Sequence, residues 1–219
     1  MKITFFPFGI VLLLSACASG PAVPDWQMNA KSSIERATSA YLSGNDRVAD
    51  QEFARARSAL ASTGQIALVA RAELIRCASR VASLVLEDCG GFEKLARDAA
   101  APERAYARYL TGQAQPQDAA LLPAQQRSVI TTSNPAATLS SIGDPLSRLV
   151  AAGVLLRSGR ASPAVLALAV DTASAQGWRR PLLAWLGAQA MHAQQAGDST
   201  EAQRLQRRIE LVDSKPNPN

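Results

Sequence analysis

The single histidine, His192, lies in Ala190-Met191-His192-Ala193-Gln194, a stretch with helical character, and it limits the chemistry open to this chain. A Ser-His-Asp triad would need it beside a serine on a strained turn, and no Gly-x-Ser-x-Gly elbow occurs. A tetrahedral zinc site needs several Cys and His ligands, and one histidine without a Cys-x-x-Cys supplies too few. Gly90-Gly91 is neither a phosphate-binding loop nor a dinucleotide fingerprint. The 18 acidic residues offer many pairs for glycosidase chemistry, but none stands out, and Glu35, Glu52 and Glu73 read as charges on helix surfaces. No catalytic, metal-ligating or cofactor-binding residue is therefore assigned, and the chain is expected not to be an enzyme. Among the three tryptophans, Trp26 is placed against the first helix and Trp185, flanked by leucines, in the core. Trp178, in the turn Gly177-Trp178-Arg179-Arg180, is the more exposed candidate for contact with a ligand or partner, local packing being the alternative reading.

Cys17 offers a different chemistry. Met1-Lys2 gives a positive start, and Ile3 to Leu14 form an apolar stretch shorter than the roughly 20 residues a spanning helix needs. Leu14-Ser15-Ala16-Cys17 follows directly, and it resembles the lipobox of bacterial lipoproteins. The resemblance implies cleavage before Cys17, a thioether to diacylglycerol on its sulfur, and acylation of the freed amine. Two or more acyl chains hold a protein stably to a bilayer where one chain is marginal. Residue 18 is alanine rather than the aspartate that retains enterobacterial lipoproteins at the inner membrane, which points to the outer membrane with the domain facing the periplasm. Residues 1–16 are then a signal peptide, and residues 17–24, with Pro21 and Pro24, an extended tether.

That compartment permits disulfides, and with Cys17 lipidated an even pair remains, Cys77 and Cys89. A bridge between them is expected to pin the end of one helix against the next segment; the alternative is two buried free thiols.

The elements that carry these residues are expected to be helices. Alanine and leucine dominate, β-branched residues are sparse and aromatics make up 5%, a balance that favours helix over strand. Asp46 and Thr63-Gly64 bracket one helix, and a second runs from Gln65 to about Val81. Asp144-Pro145 and Ser162-Pro163 each set a capping side chain before a proline at the first helical position. Pro181 is expected to open another helix, and Asp198-Ser199-Thr200-Glu201 resembles a capping box at the start of the last one, which ends near Val212. Residues 115–144, with Pro116, Pro123 and Pro135, read as an irregular insertion containing short helices, and residues 214–219 as a disordered tail.

Tyr41-Leu42-Ser43-Gly44 recurs as Tyr109-Leu110-Thr111-Gly112, a spacing of 68 residues. That is twice the period of about 34 residues in tetratricopeptide repeats. Ala37, Gly44, Ala49, Phe53 and Ala56 also resemble that family's pattern of small residues with an aromatic, as do Ala152, Gly159, Ala164 and Leu168. Ala190, Gly197 and Ala202 form a third such unit, with Gln206 in place of the bulky residue. The resemblance implies an all-α domain over residues 25–213, built of antiparallel helix pairs stacked as a short solenoid with a groove.

Without Lys2 the 23 basic residues fall to 22 against 18 acidic, a mild surplus with no compact basic run, so no nucleic acid is expected as partner. The leading expectation is an outer-membrane lipoprotein acting as an interaction scaffold for an envelope protein or extended peptide, with Tyr41, Arg55, Tyr109 and Trp178 as candidate contacts. The competing one is a lipoprotein that binds or cleaves peptidoglycan glycan around Trp178. Cys17→Ala is expected to abolish incorporation of labelled palmitate and to release the chain from the membrane fraction, read by fluorography and ultracentrifugation.

Overall fold

A computed structural model describes residues 24–214, so Cys17, the expected signal peptide, the expected tether up to residue 23 and residues 215–219 of the expected tail lie outside the described residues. The described residues contain helices, turns and no strand. The helices are α1 (Asp25–Ser43), α2 (Asp46–Ala61), α3 (Ile66–Ala82), α4 (Gly90–Glu93), α5 (Ala101–Leu110), α6 (Arg127–Thr131) and α7 (Pro135–Ser141). They continue with α8 (Pro145–Arg157), α9 (Pro163–Ala175), α10 (Arg179–Gln195) and α11 (Ser199–Asp213).

Local chemistry sets most helix ends. Carboxylate or hydroxyl oxygens of Asp144, Ser162 and Asp198 accept the backbone N–H of Ser147, Val165 and Glu201, as their sequence positions require. Asn45 rather than Asp46 caps α2, its side chain accepting from Val48 N. Helix α10 starts two residues before Pro181, at Arg179, and that proline falls within the first turn, where a missing N–H costs nothing. The repeated tetrapeptides end α1 and α5 in the same way, with Gly44 at φ +91° and Gly112 at φ +74°. This left-handed conformation suits glycine and brings the chain back for an antiparallel partner.

Consecutive long helices pack as antiparallel neighbours, α1 with α2, α8 with α9, α9 with α10 and α10 with α11. Two further contacts join distant parts of the chain: α3 lies on α8, and α1 lies on α10. Together with α2 against α3 these close six helices into a circuit, an arrangement that repeat spacing does not predict. Leu74, Val81, Leu149, Leu155, Val165, Val170, Trp185 and Leu186 belong to the larger core, and Ala30, Ala37, Phe53, Leu60 and Val69 to a smaller one shared by α1, α2 and α3.

The proline-containing middle takes the short-helix form expected, with two 3-10 turns, Pro116–Leu121 and Ala124–Gln126, ahead of α6 and α7. It is more than a surface insertion, because Leu122, Val129, Leu139 and Ile142 are buried in the main core. Cys77 and Cys89 form a disulfide with Cα atoms 5.5 Å apart, tying α3 to the first residues of α4.

Trp185 is fully buried, and its indole N–H donates to the carbonyl of Ala82 at 2.9 Å, supplying a partner for the C-terminal end of α3. At the adjacent residue of α3, a Cβ added to Gly153 of α8 would fall 2.5 Å from Val81 O and 2.8 Å from Val81 Cγ1. The two helices therefore cross too closely for any side chain at that point. Gly153→Ala is expected to cost about 1–3 kcal/mol as an overpacked core substitution. Gly187→Ala, within α10 and with nothing within 4 Å of the added methyl, should instead gain about 0.5–1 kcal/mol. Urea unfolding followed by circular dichroism distinguishes the two.

Candidate functional site

Helices α1, α2 and α3 and the first turn of α10 enclose a groove of about 350 Å³. Its floor is built from small or apolar residues, Ala37 of α1, Ala49 and Phe53 of α2 and Ala72 of α3, so the alanines that let the helices approach also leave the space between them. Three guanidinium groups stand over it. Arg180 lies 4.3 Å above the Tyr41 ring and Arg76 lies 4.7 Å above the Phe53 ring, both as cation–π contacts. Arg180 also donates to the carbonyl of Tyr41 at 2.7 Å and to Asp46 at 2.5 Å, and Arg76 donates to Asp50 at 2.8 Å. The third, Arg80, donates to Glu87 at 2.6 Å.

The Tyr41 hydroxyl is buried and has no hydrogen-bond partner. Burial pushes its pKa up, with the Arg180 and Arg80 charges acting the other way. The hydroxyl stays protonated and can donate to, or accept from, a ligand group entering the groove. The groove thus combines two aromatic faces, three guanidinium groups and a buried hydroxyl.

Tyr109, its counterpart in the sequence repeat, is not a surface residue. It is 0% exposed, its hydroxyl donates to Gln126 at 2.5 Å, and its ring stacks on Tyr106 with centroids 5.9 Å apart. The residues after α5 fold back over it, whereas Tyr41 is covered mainly by one arginine. Tyr109 therefore presents no surface to a partner, contrary to its expected role as a contact. Arg55 lies outside the groove and donates to Glu52 on its own helix at 2.7 Å.

Trp178 is half-buried on an adjoining face of α1, in a groove of about 450 Å³ that shares Ile34 and Thr38 with the first and also includes Leu42, Pro145, Glu35 and Asp144. The Asp144 carboxylate accepts the Ser147 N–H at 2.7 Å, and exposed Glu35 lies 4.0 Å from Lys31. His192 is exposed on α10, beside Asp198 and Glu201. Among the described residues no group of three or more His, Cys, Asp or Glu could hold a metal ion, and no helix is long and apolar enough to cross a membrane.

Glu52 and Glu73 correct a second expectation, being 7% and 8% exposed rather than on the surface. Each accepts from an arginine of the preceding helix: Arg36 of α1 to Glu52 at 2.9 Å and Arg57 of α2 to Glu73 at 2.9 Å. Arg71 of α3 continues the ladder to buried Glu103 of α5 at 2.6 Å, and Arg108 binds Asp118 in the middle segment. The sequence reading missed Arg76 and Arg80 as groove residues. Their spacing of four on one helix face, matched by Asp46 and Asp50 on the preceding helix, was the available signal.

No protein-family model, curated protein or solved structure matches this chain.

Burial alone would raise the Glu52 carboxyl, yet hydrogen bonds from Arg36 and Ser33 and the Arg36 and Arg55 charges hold it below its ordinary value. Burial likewise opposes, and Arg71 outweighs, at Glu103, while hydrogen bonds from Arg108 and the Gln115 N–H lower Asp118. Folded values below the unfolded ones mean that these ion pairs stabilise fully above the unfolded pKa and lose that effect as pH falls through the folded pKa. The urea midpoint is expected to hold above about pH 5 and to drop below it. Asp118→Asn should lower the midpoint at neutral pH and flatten the decline.

Proposed function

We propose that this chain is a lipid-anchored envelope protein, held to the outer membrane through Cys17, whose helical domain acts as an interaction scaffold for an envelope protein. The groove beside Tyr41 holds an extended segment of that partner. The observation that carries this reading is the aromatic floor of Tyr41 and Phe53 under guanidinium groups, with a buried hydroxyl that lacks a hydrogen-bond partner. Aromatic and arginine side chains around a desolvated pocket are the residues that dominate binding energy in protein interfaces. The resemblance of the helix pairs to tetratricopeptide repeats supports the same conclusion, since such pairs present a concave face to a peptide. Lipid on Cys17 would confine that face to the membrane surface, where envelope complexes assemble.

A second reading, binding or cleavage of peptidoglycan glycan, draws on the groove that places Trp178 near Glu35 and Asp144. It is the weaker of the two, because Asp144 is engaged as a helix cap and Glu35 is exposed to water.

Photoreactive residues at Tyr41, Asp50 and Trp178 of the lipidated protein in intact cells test both. One discrete envelope protein captured from positions 41 and 50, and lost in a Cys17→Ala chain, is the expected result. Introducing Arg76→Glu should reduce that capture at least fivefold by reversing a charge in the groove wall. Glycan fragments recovered at Trp178, with nothing at positions 41 and 50, would overturn the scaffold and put the glycan reading first.

A further inference from the structure

A second cleft lies on the other flank of α3, between it, the start of α5 and the 3-10 turn Pro116–Leu121. It has a volume of about 390 Å³, within the range of side-chain and small-ligand pockets, and Leu74, Pro102, Tyr106, Leu121 and Pro123 make its walls largely apolar. Leu121 at its mouth is 40% exposed and Ile75 is 37% exposed, two of the few large apolar side chains left open to water. An apolar opening of this kind gains stability when covered.

Its one buried polar wall residue is Glu103, 4% exposed. The Oε1 atom accepts from Arg71 at 2.6 Å, but Oε2 is buried with no hydrogen-bond partner. A buried carboxylate oxygen without a donor is costly, and a ligand that brings one recovers that cost. Glu103 lines the cleft, and the terminal torsion of a glutamate is soft, so its carboxylate can adjust to a donor placed there. Arg71 already balances the carboxylate charge, so the vacancy suits a neutral N–H better than a second cation.

We infer that this cleft is an anchor site for a tryptophan side chain of a partner peptide, its indole N–H directed to Glu103 Oε2 and its ring against Tyr106 and Leu121. Indole is the large apolar side chain that only donates, matching an apolar wall with a single vacant acceptor. Ile75 lines both this cleft and the groove beside Tyr41, so one extended segment lying across α3 reaches both. The anchor rests on the scaffold reading and names the feature its partner must carry.

Ligand-observed saturation-transfer NMR on the detergent-solubilised lipidated protein tests the site with N-acetyltryptophanamide and its N1-methyl analogue. The expected result is binding of the first, roughly tenfold weaker binding of the methylated analogue, and loss of binding in a Leu121→Arg variant that unfolds at the wild-type temperature. The tenfold factor corresponds to one hydrogen bond of about 1.4 kcal/mol. Absence of indole binding, equal binding of the two compounds, or binding undiminished by Leu121→Arg would each overturn the inference. Crosslinking from Asp50 is read independently, so failure of the tryptophan anchor and failure of the scaffold are separate results.

Discussion

Arginine placement is the constraint on which the rest of this structure depends. Short helices leave many C-terminal carbonyls without partners, and the interior carries carboxylates that need a counter-charge. Arg160 satisfies both Val129 and Ile130 carbonyls, at 3.1 and 3.0 Å, and Thr132 O at the end of α6. Arg148 does the same for Ile142 after α7, Arg179 for Val212 at the end of α11, and Arg180 for Tyr41 in α1. A guanidinium can do this because its five donors form a planar fork that stays charged when half-buried. Much of the basic surplus is thereby committed inside the fold.

The ladder of Arg36–Glu52, Arg57–Glu73 and Arg71–Glu103 sets the order of α1, α2, α3 and α5 with the same chemistry. Each rung joins one helix to a later one and leaves part of the arginine in water. Helix α3 carries two of these rungs and also the disulfide, the Gly153 crossing and the Trp185 hydrogen bond. It is the most constrained element of the fold, and both the Tyr41 groove and the Glu103 cleft open along it. Rigid walls lower the entropy lost on binding, which favours the recognition role proposed for these two openings.

The two surfaces differ in a way that bears on function. The Tyr41 groove is lined by guanidinium groups already paired with Asp46, Asp50 and Glu87, so its charge is balanced and its selectivity rests on aromatic faces and a hydroxyl. The cleft beside Glu103 is apolar with one vacant acceptor. On the scaffold reading proposed above, a segment spanning both would meet polar chemistry at one end and apolar chemistry at the other.

Helix content and most helix ends were legible in the sequence because both are local. Alanine and leucine set propensity, and Asp144, Ser162 and Asp198 cap the first turns they precede. Repeated tetrapeptides likewise determined two matching glycine-terminated helix ends at Gly44 and Gly112. What covers those ends was not local. Tyr41 opens into a groove and Tyr109 is sealed in the core because different distant segments fold over them, Arg180 in one case and Gln126 in the other. Glu52 and Glu73 carry no sequence mark of burial, since a glutamate on a helix face is exposed or buried according to which helix comes to lie upon it. The disulfide pairing was legible from the cysteine count once Cys17 was set aside, but the cleft beside Glu103 came from α3, α5 and a 3-10 turn meeting across about 50 residues of chain. Sequence by itself determined what each turn of helix prefers, and tertiary packing decided which faces met and which stayed open, because burial is a property of neighbours and not of the residue.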